Sequence, residues 1–160
     1  IKASGTRLAD AAETPIFVPV ALNAFQKTLQ NGQYDAAPEL LDTNGLRPSI
    51  ETALHALMPY KVVVHIHMIE ALALLVCHDA EALLSARMPH DLPWVLVPYK
   101  KPGAALAQAV AQGLQATHHA QVVFLQNHGV VLGADSVEAV EQLLNRVSLA
   151  LQPPQKTFPQ

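Results

Sequence analysis

Two histidines stand one residue apart at the end of the apolar segment VVVHIH. Side chains alternate between the two faces of a β-strand, so His65 and His67 would point the same way, about 6 to 7 Å apart along the strand. Two imidazoles on one face can converge on a single cation, but each could instead donate to a carbonyl or face solvent. The pair alone leaves a metal site and a structural role open.

A third histidine would complete a catalytic zinc site, which usually takes three protein ligands and keeps a position open for water or substrate. His128 is the best candidate, because it follows the apolar run VVFLQ and precedes Gly129. A turn at that strand end could aim its ring toward His65 and His67. Taken together, the three histidines favour a metal site over three separate structural roles.

Glu51 lies upstream of His65, in the first turn of a predicted helix. A carboxylate in that turn is stabilised by the positive end of the helix dipole and needs no catalytic role. It is equally what a proton-abstracting enzyme requires near a metal that holds a substrate carbonyl. The residues alone do not decide between these two interpretations.

Two short segments offer candidate contacts to an anion. The sequence KASGT places Ser4 and Gly5 in a small-residue turn whose amides could approach a phosphate. Ser49 is predicted to cap the helix over 50–57 and could also present its hydroxyl to an anion. From the sequence alone, capping of the helix is the favoured role of Ser49.

The composition limits the classes of function. With 160 residues, 51% hydrophobic and 14% charged, the chain suits one well-buried domain and not a disordered tail. A formal charge of −3 gives no electrostatic reason to expect nucleic acid or an anionic membrane as partner. The single Cys77 cannot form an internal disulfide, and no apolar run is long enough to span a bilayer, so a cytoplasmic location is expected.

Segments with strand and helix character are interleaved along the chain. Strands are predicted over 16–20, 62–67, 94–99, 121–125 and 130–132, and helices over 22–30, 50–57, 69–77, 79–87, from Pro102 to 116, and 137–151. A long loop is predicted over 31–48. Several connections are too short for a crossover helix, which favours antiparallel pairs in a mixed sheet covered by helices. The abrupt beginning suggests that an N-terminal portion precedes Ile1.

Four landmarks occur in the order KASGT, PSIETALH, VVHIH and NHG. In this order they resemble the class II aldolase and adducin head-domain family. Within that family, the segments PSIETALHALMPYKVVVHIH and VPYKKPGAALAQAV are most similar to the rhamnulose-1-phosphate aldolase-like domains. The resemblance covers residues 1–151 as one domain and leaves 152–160 as a C-terminal tail. It implies an α/β fold, a three-layer α/β/α sandwich with a mixed, mainly antiparallel central sheet.

The resemblance also implies a set of residue roles. His65, His67 and His128 would bind Zn²⁺ or another divalent metal, and Glu51 would act as the acid/base. Phosphate-binding residues carried over from the family are Ser4, Gly5 and Ser49. The implied enzyme is a lyase that cleaves a ketose phosphate by a retro-aldol reaction to dihydroxyacetone phosphate and an aldehyde. Its small-molecule sites would lie at the subunit interfaces of a homotetramer.

Other activities stay open on the same scaffold. A 4-epimerase or a dehydratase would use the same ligands, while the non-enzymatic adducin branch is expected to lack the metal histidines.

The chain also departs from the family pattern. A Gly-Asn phosphate loop would precede residue 1, Ile50 replaces a second small hydroxyl residue, and a C-terminal tyrosine that donates a proton in some aldolases has no counterpart. Residues that bind the phosphate and residues that donate the proton could come from a neighbouring subunit.

Overall fold

The computed structural model of the chain describes residues 1–42 and 45–153. They fall into two compact units, which are described one at a time. The first unit comprises Ile1–Pro59 and Lys100–Gln112, and the second comprises Tyr60–Tyr99 and the residues from Gly113 onward.

A mixed sheet forms the centre of the second unit. Its strands within the described residues are β1 (Val62–Ile66), β2 (Trp94–Val97), β3 (Val122–Leu125) and β4 (Gly129–Ala134), in the spatial order β1-β4-β3-β2. Strand β4 is antiparallel to both β1 and β3, whereas β2 is parallel to β3. Strands β1, β2 and β3 therefore run in one direction and end at the same edge of the sheet.

Helices alternate with these strands along the chain. The described α-helices are α1 (Leu22–Gln30), α2 (Thr52–Leu57), α3 (Ile69–Leu75), α4 (Ala80–Ser85), α5 (Ala104–Ala116) and α6 (Val137–Leu151). Helix α6 begins as predicted, because the Ser136 hydroxyl accepts a hydrogen bond from the Ala139 amide at 3.1 Å. Helices and mixed sheet together confirm the expected α/β class for the described residues.

The core of the second unit joins the sheet to α3, α4 and α6. Phe124 and Leu132 on β3 and β4 are fully buried, and they pack in one cluster with Leu75, Leu84 and Leu151 from the three helices. Burial of a large apolar side chain contributes roughly 1.5–3 kcal/mol to folding. These contacts make the sheet a rigid support for residues at its edge.

The first unit has a smaller core of its own. Phe25 and Leu29 of α1 pack against Ala53 and Ala56 of α2, together with Ala107 of α5. A side-chain contact reinforces this pairing, since the Gln26 amide donates to the Ala56 carbonyl at 3.0 Å. Helix α1 lies within the predicted helix, and residues 31–42 and 45–48 carry no helix or strand, in agreement with the predicted loop.

Two local predictions in the first unit are wrong. Residues 16–20 form isolated bridges at Phe17 and Val20 instead of a strand, and Pro19 has no N–H to extend a ladder there. Helix α2 begins at Thr52 with Glu51 in the N-cap position, so Ser49 is not its N-cap. Ile50, the first residue of the predicted helix over 50–57, precedes α2 and is 70% exposed.

The helix start is displaced by a tight turn. The Ser49 carbonyl accepts hydrogen bonds from both the amide and the hydroxyl of Thr52, at 3.0 and 2.5 Å. This turn takes up the residues that would otherwise have formed the first helical turn.

Among the helices that the described ranges contain, none is both long and apolar enough to cross a membrane.

Candidate metal centre

The three predicted histidines reach the site from two strand ends. His65 is the penultimate residue of β1, His67 stands one residue beyond that strand, and His128 lies in the turn between β3 and β4. Strands β1 and β3 end at the same edge of the sheet with β4 between them. This topology brings the three side chains together, as expected from their positions at strand ends.

The imidazole rings form an almost equilateral triangle. Their centroids are separated by 5.0 Å for His65 and His67, 5.0 Å for His65 and His128, and 5.1 Å for His67 and His128. One nitrogen from each ring lies within 4.8 Å of the others. His65 and His128 are half-buried and His67 is exposed, so the cluster is open to solvent on one side.

A main-chain contact determines which nitrogen of His65 faces the centre of the cluster. Its Nδ1 atom lies 3.1 Å from the Val130 carbonyl oxygen, which can only accept, so Nδ1 carries the hydrogen. The Nε2 atom then keeps its lone pair and lies 3.2 Å from Nε2 of His67. Metal-binding histidines commonly donate their other N–H to a carbonyl in this way.

The donor set fits a divalent ion of borderline softness. Imidazole nitrogens suit zinc, copper, nickel and iron, whereas magnesium and calcium prefer oxygen ligands. Two nitrogens at tetrahedral positions around zinc are about 3.3 Å apart, given Zn–N bonds of roughly 2.0–2.1 Å. The 3.2 Å between His65 and His67 is close to that value. That the cluster binds a metal stays a prediction that this geometry supports.

The turn that carries His128 has an unusual backbone. Asn127 has a φ angle of 55°, in the left-handed region that L-residues seldom adopt. Its amide donates to the Leu75 carbonyl at 3.3 Å, and the His128 amide donates to the Leu125 carbonyl at 3.0 Å. This feature was not predicted from the sequence. Asparagine before a His-Gly pair was a usable signal, because asparagine tolerates that conformation.

The predicted acid/base residue lies in the first unit. Glu51 is half-buried at the N-cap position of α2. Its amide donates to the Ser49 hydroxyl at 3.2 Å, and its carbonyl accepts from the Leu54 amide at 2.9 Å. These contacts fix its main chain. Within this unit the structure brings Glu51 together with Ser49.

The predicted phosphate residues lie on two neighbouring segments of the same unit. Ser4 and Gly5 are exposed in the turn, where Gly5 has a φ angle of 75° that favours glycine. The Ser4 amide donates to the Arg47 carbonyl at 2.9 Å, and an isolated bridge joins Ala3 to Pro48. The chain leading to Ser49 therefore runs beside the turn.

A basic residue next to this turn was not identified from the sequence. The Lys2 ammonium donates to the carbonyls of Ala3 and Thr6, at 3.0 and 2.7 Å, and so lies directly against the turn. The Thr6 hydroxyl donates to the Ala3 carbonyl at 2.8 Å. A lysine immediately before a small-residue turn was the available signal.

Comparison with known proteins agrees with this description. The sequence profile of the Class II Aldolase and Adducin N-terminal domain family matches residues 1–150. The chain is 36% identical over 103 residues to the Bacillus subtilis protein named uncharacterized oxidoreductase YuxG, which is 64% of this chain. The chain spans only 15% of the length of that relative.

Solved structures show the same fold. The N-terminal class II aldolase domain of a conserved protein from Thermoplasma acidophilum has a TM-score of 0.71 at 24% identity, over 93% of this chain and 71% of that one. An L-fuculose 1-phosphate aldolase has a TM-score of 0.62 at 18% identity, over 94% and 65% of the two chains. The sequence identities are too low to transfer function. The structural similarity confirms the class II aldolase-like fold.

Proposed function

The chain belongs to the Class II Aldolase and Adducin N-terminal domain family, and from this premise we propose that it is a metal-dependent lyase. It would cleave a ketose phosphate by a retro-aldol reaction and release dihydroxyacetone phosphate and an aldehyde. The observation that carries the proposal is the triangle of His65, His67 and His128, whose nitrogens converge at a solvent-accessible sheet edge.

The histidines would hold one divalent ion, with zinc as the expected metal. Bound there, the ion would supply a Lewis acid that polarises the carbonyl of the substrate. The chain contributes the orientation of the ligands, because the Val130 carbonyl sets the hydrogen on Nδ1 of His65. The exposed side at His67 leaves room for water or substrate.

Glu51 is proposed as the residue that moves the proton. Cleavage turns the hydroxyl on the aldehyde half into a carbonyl, with its proton passing to solvent. The electron pair of the broken carbon–carbon bond stays on the three-carbon half of the substrate, whose carbonyl accepts it. A carboxylic acid at Glu51 would return a proton to the carbon that has lost its partner. The hydrogen bonds to Ser49 and from Leu54 hold the main chain that carries its carboxyl group.

The phosphate group would be held in the first unit by Ser4, Gly5 and Ser49. An exposed turn of small residues lets main-chain amides approach an anion closely. The Lys2 ammonium adds a positive charge beside the turn. A charge-assisted contact of this kind is about twice as strong as a neutral hydrogen bond.

Related activities give distinguishable outcomes. A 4-epimerase or a dehydratase could use the same ligands, and an adducin-like domain would assemble without catalysis. The name of the Bacillus subtilis relative refers to a protein of which this chain spans 15%, so its oxidoreductase activity is not carried over. A cytoplasmic homotetramer is the proposed setting.

The test is the release of dihydroxyacetone phosphate from a panel of ketose 1-phosphates by zinc-loaded protein, measured with a coupled dehydrogenase. Activity should disappear in Glu51→Gln while bound zinc is retained, because the carboxylate is not a proposed ligand. Glu13→Gln is the matched control, since it makes the same charge change at an exposed position of the same unit. Epimerisation or dehydration without cleavage would replace the lyase proposal.

A further inference from the structure

One residue without a side chain lies against the metal centre. Gly129 is the first residue of β4, and a β-carbon built on it would lie 2.6 Å from the Ile66 carbonyl oxygen. The same atom would lie 2.8 Å from Cδ2 of His67 and 3.3 Å from Cε1 of His65. Both rings and the peptide between them therefore pack against the bare α-carbon.

These distances leave no room for even a methyl group. Carbon atoms in contact are normally 3.5–4.0 Å apart, so 2.6 and 2.8 Å lie deep in the repulsive range. A flexible side chain could turn away, but the Ile66 oxygen belongs to the main chain of β1. Relief of the clash would have to move the strand, since Ile66 is paired with Val130 in the ladder.

The position of the clash determines its effect on the site. Ile66 is the residue between His65 and His67, so a displaced carbonyl shifts the main chain that carries both ligands. The Val130 carbonyl, which binds Nδ1 of His65, follows Gly129 directly. A methyl group at position 129 would thus displace the rings of His65 and His67. It would also disturb the hydrogen bond from Nδ1 of His65 to the Val130 carbonyl.

We propose that Gly129 is a positioning residue of the metal centre, whose missing side chain allows His65 and His67 to converge. The proposal rests on the metal site of the proposed function. It predicts a loss of metal affinity from a substitution that removes no ligand and adds no charge.

A second glycine in the same unit provides a matched control. A β-carbon on Gly113 of α5 would lie 2.7 Å from Cγ1 of Val95, and no histidine of the metal centre is among the atoms that it would approach. Gly113→Ala therefore introduces a clash at a similar distance, against a side chain and away from the metal centre. A general loss of packing would affect the two variants alike, whereas a positioning role would separate them.

The experiment measures Co²⁺ and Zn²⁺ affinity of the wild type, Gly129→Ala and Gly113→Ala by competition with a chelator, with thermal unfolding of the metal-free forms. We expect Gly129→Ala to bind about tenfold to a hundredfold more weakly and to change the visible absorption of bound Co²⁺. Gly113→Ala should match the wild type. Wild-type affinity in Gly129→Ala would overturn the proposal and leave the proposed function standing.

A measurement on the unaltered protein covers the case in which Gly129→Ala does not fold. In metal-free wild type, one α-hydrogen of Gly129 should show nuclear Overhauser contacts to Hδ2 of His67 and Hε1 of His65. Their presence supports the packing and their absence overturns the proposal. A wild type that shows these contacts but binds no metal would instead reject the metal-dependent lyase.

Discussion

The Nε2 atoms of His65 and His67 lie 3.2 Å apart. At this separation one neutral imidazole can donate a hydrogen bond to the other. A divalent ion that binds both lone pairs would replace that hydrogen bond without a large movement of either ring. The separation of His65 and His67 is therefore close to the roughly 3.3 Å expected between two nitrogens bound to one zinc.

Zinc is expected to stabilise the fold. A ligand that binds only the folded state adds about 2.7 kcal/mol to the free energy of unfolding at roughly 100 times its Kd. Thermal unfolding with zinc, and after its removal with a chelator, should show this as a shift in Tm. His67→Ala should abolish the shift. His78→Ala, which removes an exposed histidine of the same unit, should keep it.

Substitutions of Asn127, which has a left-handed backbone conformation, are expected to change the free energy of unfolding and the affinity for metal. Alanine in that conformation costs about 1–2 kcal/mol, whereas glycine adopts it freely. Asn127→Ala should lower the free energy of urea unfolding and weaken metal binding, because His128 follows directly. Asn127→Gly should remain near the wild type in both measurements. Equal losses in the two variants would point to the asparagine side chain instead of the backbone.

Tyr60 should make stability depend on alkaline pH. Its hydroxyl donates to the His119 carbonyl at 2.9 Å, and burial, followed by the nearby Asp135 carboxylate, raises the pKa of Tyr60 above its ordinary value of 10.0. A raised pKa favours the protonated form in the folded state. Its stabilising effect is present below pH 10 and is lost as the pH rises through the raised pKa.

The measurement is urea unfolding at neutral pH and at pH values above 10. The wild type should be more stable than Tyr60→Phe at neutral pH by about 0.5–1.5 kcal/mol, the usual net value of one hydrogen bond. That difference should shrink at alkaline pH. Tyr99→Phe, at an exposed tyrosine, is the control. A constant difference between the wild type and Tyr60→Phe would contradict the linkage.

Lys2 is expected to contribute to binding of a phosphorylated ligand. Lys2→Met removes the ammonium group that lies against the KASGT turn and retains much of the apolar stem. Affinity for inorganic phosphate, measured by displacement at constant ionic strength, should fall severalfold. Lys27→Met, on α1 of the same unit, makes the same charge change elsewhere and should have no effect. An unchanged affinity in Lys2→Met would remove this residue from the phosphate site.

Much of the site could be predicted because its residues obey local rules. Alternation along a strand places His65 and His67 on one face, and a strand followed by Asn-His-Gly places His128 in a turn. The helix at Ser136 was likewise predictable, since its cap depends on neighbouring residues alone. These local features needed no knowledge of the tertiary structure.

The remaining features depend on contacts between distant segments. The pairing of β1 with β4 brings Ile66 against Gly129, and no local sequence pattern predicts that contact. The start of α2 was misplaced because the turn at Ser49 competes with the helix for Thr52. The position of Lys2 depends likewise on its carbonyl partners, Ala3 and Thr6, and the sequence alone does not identify them.

The most direct test of the central claim is the metal content of the purified protein, determined by elemental analysis after incubation with zinc and removal of the excess. We expect about one zinc per chain in the wild type and little in His128→Ala, which lacks one of the three proposed ligands. A wild type without bound metal, or a His128→Ala variant that retains the full amount, would contradict the three-histidine centre.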